Sequence, residues 1–353
     1  MTFSLTVDSL PRPRGPVSET VIRALRRPPP SMGLDGGLDA EVGNDEDEAL
    51  ALYVCYELHY HGFAGVDDAW EWDPGLLGLR GRLERRMLDA LQARIGPPAP
   101  VVGGDIEPTL AAIVSSGAGP SLSGYMATEG TLRQFQEFAV HRSAYQLKEA
   151  DPHTWGIPRL TGVAKAAMVS IQHDEYGQGD PAAVHAEVFA RTMTALGLDP
   201  SYGAYLDVIP AATLRTVNLV SLFGLHRRWR GALVGHLAVF EMASVTPNAR
   251  YAQALRRLGL GVEATRFYDV QVQADAVHER IALHDLAGGL AAAQPDLAGD
   301  IIFGARAIMA TEADFARHLL DSWAARQTSL LGDPASSFAS ETGDPSAGHE
   351  GLP

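Results

Sequence analysis

FYDVQVQADAVHERIALHD, from Phe267 to Asp285, has no Gly or Pro and is rich in good helix formers, so it predicts one amphipathic helix. Val270, Ala274, Val277 and Ile281 make an apolar stripe at helical spacing. Beside that stripe Gln271, Asp275 and His278 stand at i, i+4 and i+7 and point the same way. A carboxylate and an imidazole three residues apart on one face can grip one metal ion, although a solvated polar face shows the same spacing. The neighbouring segments weigh between the two.

Working outward, two other segments place a carboxylate in line with core positions. In the helix expected from Pro158 to Gly177 the ladder Ala164, Met168, Ile171 leads to Glu175. In the helix expected over 230–245, Val234, Ala238, Glu241 and Val245 share a stripe. A carboxylate facing a core is costly unless it is paired or bound to metal. Between them, a helix beginning at Pro181 and closing at Gly197 carries His185 above Val188 and Phe189. Three acids and two imidazoles in an apolar bundle are what two iron or manganese ions need, since carboxylates neutralise and bridge while imidazoles fix geometry. Unrelated buried polar residues paired with arginines are the competing reading.

The remaining segments are expected to be helical too: Ala49–His61, Pro74–Arg94, Thr131–Glu149, residues 211–229, a helix beginning at Thr246-Pro247 and ending at Gly259, and Ile301–Arg326. There is no repeat and no convincing two-residue alternation, so the class is all-α. Residues 1–45 are Pro- and Gly-rich and end in Asp45-Glu46-Asp47-Glu48, which predicts a disordered or loosely docked arm. Residues 46–125 read as an N-terminal helical extension and linker, with a Pro/Gly-rich hinge over 96–106. Residues 126–328 read as the main bundle, and 329–353 as a disordered tail. His59 and His61, two apart, point to different faces and read as packing or surface residues.

A formal charge of -15 and a pI near 5.2 argue against nucleic acid or an anionic membrane as partner. The single cysteine, Cys55, excludes an intramolecular disulfide and a cysteine-ligated cluster, whereas histidine is supplied in 12 copies. No basic head precedes an apolar core at the N-terminus, and no window approaches the roughly 18 apolar residues of a membrane span, so a cytoplasmic protein is expected.

The order Asp174-Glu-Tyr-Gly-Gln-Gly179, then His185, then GHLAVFEMAS (235–244) and QVQADAVHE (271–279), resembles the heme-oxygenase-like di-iron oxidases, the iron-containing redox enzymes. RSAYQLKEADPHTWGIPRLTG (142–162) and YELHYHGFAGV (56–66) are similar to one bacterial branch, and the likeness extends over about residues 50–325. It implies a heme-oxygenase-like helical bundle with Glu175, His185, Glu241, Asp275 and His278 as metal ligands. In one departure, Gln271 stands where the family has the first His of His-x-x-x-Asp-x-x-His. Its neutral amide oxygen is a poor iron ligand, so the second of two irons is expected to be labile. His173 and His284 are the nearby residues that would support the ligands.

The implied activity is a non-heme di-iron oxidase or oxygenase. It takes O2 as co-substrate and electrons from a donor, and oxidises a small amino-acid- or fatty-acid-like molecule by N-oxygenation, desaturation or C–C cleavage. A homodimer is an expected assembly. His141, Arg142 and Tyr145, with Lys148 and Arg159, are candidates to hold a substrate carboxylate, because Arg binds one bidentately; interhelical salt bridges are the alternative for these cations. The alternative function is a metal-free or single-metal relative that binds a small molecule or oxidises without a cofactor. A scaffold whose acids are merely paired is a third.

Overall fold

The computed structural model describes residues 7, 9–30, 42–101, 106–117 and 119–332. Among them there is no strand, and a lone bridge pairs Val7 with Phe63. The chain is all-α. In order, the helices are α1 (Pro16–Leu25), α2 (Asp45–Glu57), α3 (Pro74–Ile95), α4 (Glu107–Ser116), α5 (Leu122–Thr128), α6 (Leu132–Gln146) and α7 (Asp151–Thr154). There follow α8 (Gly162–Glu175), α9 (His185–Ala195), α10 (Ala211–Leu225), α11 (Arg230–Arg257), α12 (Val262–Arg280), α13 (Gly289–Ala293) and α14 (Ala298–Ala324).

α11 is the axis, packed along both α12 and α14. Glycines let it approach α14 closely: a Cβ on Gly235 would overlap the carbonyl oxygen of Ile301, and one on Gly304 would overlap that of Ala232. Two apolar clusters fill the interior. One gathers α2, α3, α6 and α10, and the other gathers α8, α4 and the start of α14; Phe240 on α11 packs against both. Glu241, the next residue, therefore stands at the seam between two apolar masses.

Several expectations are corrected. The N-terminal arm is not loosely docked over its described part. Val17, Val21 and Leu25 of α1 are fully buried, and Asp47 of α2 accepts from the backbone N–H groups of Val17 (2.9 Å) and Ser18 (2.7 Å). These groups are the free donors of a helix N-terminus, so one carboxylate joins α1 to α2. Residues 1–6, 8 and 31–41 of the expected arm, and 333–353 of the expected tail, lie outside the described residues. Ser329 and Leu330, assigned to the tail, are buried. The stretch read as a linker contains α4 and α5. Pro247 does not begin a new helix: α11 runs through it, because continuing buries Tyr251, Ala252, Ala254 and Leu255. The opening helix does not stay regular to Asp285, since its backbone widens into a π-helical stretch over Ile281–Gly288, directly after His278.

Candidate metal centre

Four segments converge on one buried cavity lined by Tyr145, Glu149, Ala150, His153, Gln172, Glu175, Leu237, Phe240, Glu241, Gln271 and Asp275. Its free volume is about 10 Å³, room for about one water molecule. A roomier, open cavity of about 420 Å³ lies elsewhere, between α2, α3 and α10, and touches none of these groups.

Glu175 ends α8, and the turn to His185 depends on Gly177, whose φ is +67° and whose Cβ would stand 2.5 Å from the Val184 nitrogen. That turn brings His185 Nδ1 to 2.7 Å from Glu175 Oε2. His278 Nδ1 lies 3.3 Å from Glu241 Oε2 and 3.7 Å from Glu175 Oε1. Two trios thus have ligand atoms within 4.8 Å of one another, Glu149 with Glu175 and His185, and Glu175 with Glu241 and His278. Glu175 belongs to both. Despite the short separations, Glu175 Oε2, His185 Nδ1 and His278 Nδ1 lack an aligned hydrogen bond among the described residues.

Outer contacts hold these groups. Asp174 Oδ2 lies 3.0 Å from His278 Nε2, Asn248 donates to Asp275 Oδ2 at 3.2 Å, and Gln271 Nε2 donates to Glu149 Oε2 at 2.9 Å. The electrostatics are those of crowded acids. Burial, then the charges of Glu175, Asp275 and Glu241, push the Glu149 carboxyl far above the usual range. Burial and Glu241 push Asp275 up to about 7. Burial alone would lower His278, but Glu241, Asp174 and Glu175 outweigh it and carry the imidazole up to about 9. No Lys or Arg lines the cavity.

Glu175, His185, Glu241, Asp275 and His278 are therefore brought together, and Gln271 faces the same space through its bond to Glu149. Glu149 and Asp174 were missed. Glu149 lies three residues past the end of α6, so no helical spacing signalled it. Of the substrate candidates, Tyr145 lines the cavity. His141 does not: it is buried between Thr213 (2.6 Å) and Ser329 (3.0 Å). Arg142 forms a bidentate pair with Glu312 (2.9 and 2.7 Å) and stacks on Phe315. Lys148 pairs with Glu57, and Arg159 donates to the carbonyls of Gly224 and Leu225. His173 is exposed, with Nδ1 3.7 Å from Asp174 Oδ1, and His284 pairs with Glu107, so neither lines the cavity.

Residues 136–313, from α6 into α14, match the model of a family described as iron-containing redox enzyme. No curated protein matches the chain.

Proposed function

The chain belongs to the iron-containing redox enzyme family of the heme-oxygenase-like superfamily, and from that premise we propose that it is a non-heme di-iron oxidase or oxygenase whose ions are held by Glu149, Glu175, His185, Glu241, Asp275 and His278. It is an oxidoreductase by family; the ion count, the use of O2 and the small organic substrate are our reading. The observation that carries it is the set of buried, unaligned donor atoms on Glu175, His185 and His278. An orphaned buried polar atom costs about 1–3 kcal/mol, and crowded carboxylates without a cation cost more. Cations answer both. Four carboxylates also balance the charge of two divalent ions, and mixed oxygen and imidazole donors suit iron.

When bound, iron would supply the redox chemistry with O2 and electrons from an external donor. The protein's own groups set the conditions. Glu175, shared by the two trios, would help to hold both ions. Gln271, Asp174 and Asn248 aim Glu149, His278 and Asp275, as outer contacts do at metal centres generally. Leu237 and Phe240 give the cavity apolar surface. No helix of the described residues is long and apolar enough to cross a membrane.

The test is anaerobic Fe(II) loading of the full chain, followed by iron analysis and Mössbauer spectroscopy. We expect up to two irons per chain in oxygen and nitrogen coordination. A protein that retains no iron overturns the reading.

A further inference from the structure

Gln172 stands one turn before Glu175 on α8, lines the same cavity and is 2% exposed. Its Nε2 donates twice, to the Ala150 carbonyl at 2.7 Å and to Thr154 Oγ1 at 2.6 Å. Its Oε1 is buried and has no donor among the described residues. An amide can usually be turned over to suit its neighbours. Here it cannot, because the Ala150 carbonyl only accepts, and an amide oxygen set against it would repel.

A second chain of contacts fixes the same direction. Tyr176 has one hydroxyl hydrogen and donates it to Asp151 Oδ1 at 2.8 Å. Thr154 Oγ1, 2.8 Å from the Tyr176 oxygen and 3.3 Å from the Ala150 carbonyl, donates its single hydrogen to one of these acceptors and keeps its lone pairs for Gln172. With that hydrogen on either acceptor Thr154 has none left for Gln172, and the Tyr176 hydrogen goes to Asp151. The amide oxygen is left as a fixed acceptor at a cavity that Leu237, Phe240 and Tyr145 line together with His153, Gln271 and the acids of the centre. Ala150 takes φ +76°, uncommon outside glycine, in the turn that presents its carbonyl.

We propose that Gln172 reads the substrate of this centre, its Oε1 accepting a hydrogen bond from an N–H or O–H of a small molecule whose carbon portion lies against Leu237 and Phe240. The inference rests on the metal-centre reading above. It replaces the expected carboxylate recognition, since Arg142 and Lys148 are spent on Glu312 and Glu57. A molecule without a donor leaves the amide oxygen unpaired and is rejected, the asymmetry by which buried polar groups discriminate.

Two isomers separate the donor from everything else: 1-hexanol has a hydroxyl, whereas 1-methoxypentane has the same atoms and none. Calorimetric titration of the full chain loaded with Zn(II), which cannot turn over, reads their affinities. The wild type should bind hexanol about tenfold tighter than the ether. Gln172→Leu should bring the two within about twofold while metal content stays unchanged. Tyr176→Phe, which releases the amide from its anchor, should lower the ratio in the same direction, and it decides the matter if Gln172→Leu does not fold. A ratio unchanged by these substitutions, or no saturable hexanol binding to metal-loaded wild type, overturns the inference alone. A chain that takes up no metal sinks the centre and this inference together.

Discussion

Lys148 and Glu149 are neighbours in the chain and both are buried, yet they face opposite situations. The Lys148 ammonium lies 2.7 Å from Glu57 Oε2, with the Tyr53 and Tyr60 rings 4.8 and 4.4 Å away, and Tyr202 donates to the same carboxylate oxygen. That cluster is neutral as a whole and its polar atoms answer one another. Glu149 instead joins three other carboxylates, with one amide donor, Gln271, and no Lys or Arg. Burial alone does not mark a functional charge; a buried charge that the protein leaves unanswered does. The contrast predicts that adjacent substitutions act with opposite sign.

The largest effect should come from Lys148→Met, which strands Glu57. Removing one partner of a buried pair costs about 3–5 kcal/mol, and urea unfolding of the metal-free chain should show a loss of that size. Glu149→Gln should do the reverse in the same assay and raise stability, because it removes a carboxyl that burial and three acids force to take up a proton, while leaving an oxygen for Gln271. If both variants destabilise alike, the two clusters do not differ in kind.

Iron affinity should fall next. Glu149→Gln takes away an anionic ligand, so Fe(II) should bind more weakly by more than the ~10–100-fold typical of outer-contact changes. Anaerobic titration with Fe(II) against a competing chelator measures it. Wild-type affinity in this variant would mean that Glu149 merely lines the cavity.

How much of this was open to sequence reading follows from where each group sits. Glu175, Glu241, Asp275 and His278 are on regular helices, so their spacing against apolar stripes exposed them. Glu149 lies past the end of α6, in a turn with an unusual backbone at Ala150, where helical spacing stops being a guide. Arg142 looked available because Glu312, 170 residues further on, is invisible to local pattern. The arm was misjudged by averaging: prolines and glycines surround PVSETVIRAL, whose Val17, Val21 and Leu25 carry their own helical stripe. Likewise Pro247 reads locally as a helix start, and only the packing of the turns beyond it makes α11 continuous.

The pH dependence should split the metal-free and metal-loaded states. In the metal-free fold Asp275 is raised from its ordinary 3.8 to about 7, so its contribution is full at low pH and is lost as pH rises toward 7. His278, raised from 6.5 to about 9, contributes fully below 6.5 and loses that as pH climbs to 9. These two groups therefore make the metal-free protein less stable from about pH 4 to 9. Iron must displace the same protons, so its affinity should climb over that window. Melting curves with and without Fe(II) at several pH values should diverge, and parallel curves would remove these acids from the site.

The smallest effect should be that of Asp174→Asn. Asparagine can still accept from His278 Nε2 through its amide oxygen, so the ring keeps its orientation and only the carboxylate's charge is lost. Two consequences oppose each other. The imidazole becomes a weaker metal donor, which lowers affinity by about tenfold, the low end for such contacts. It also becomes less basic, since Asp174 is one of the groups that hold His278 near 9, and a proton then competes less with the metal. At pH 9 and above proton competition has largely gone and the loss should appear in full, whereas at pH 7 the eased competition should offset part of it. Fe(II) titrations of Asp174→Asn and wild type at the two pH values should therefore give a larger affinity ratio at the higher one. A ratio independent of pH would mean that the Asp174 charge does not reach His278. A ratio larger at pH 7 would mean that a proton on His278 is not what the metal displaces.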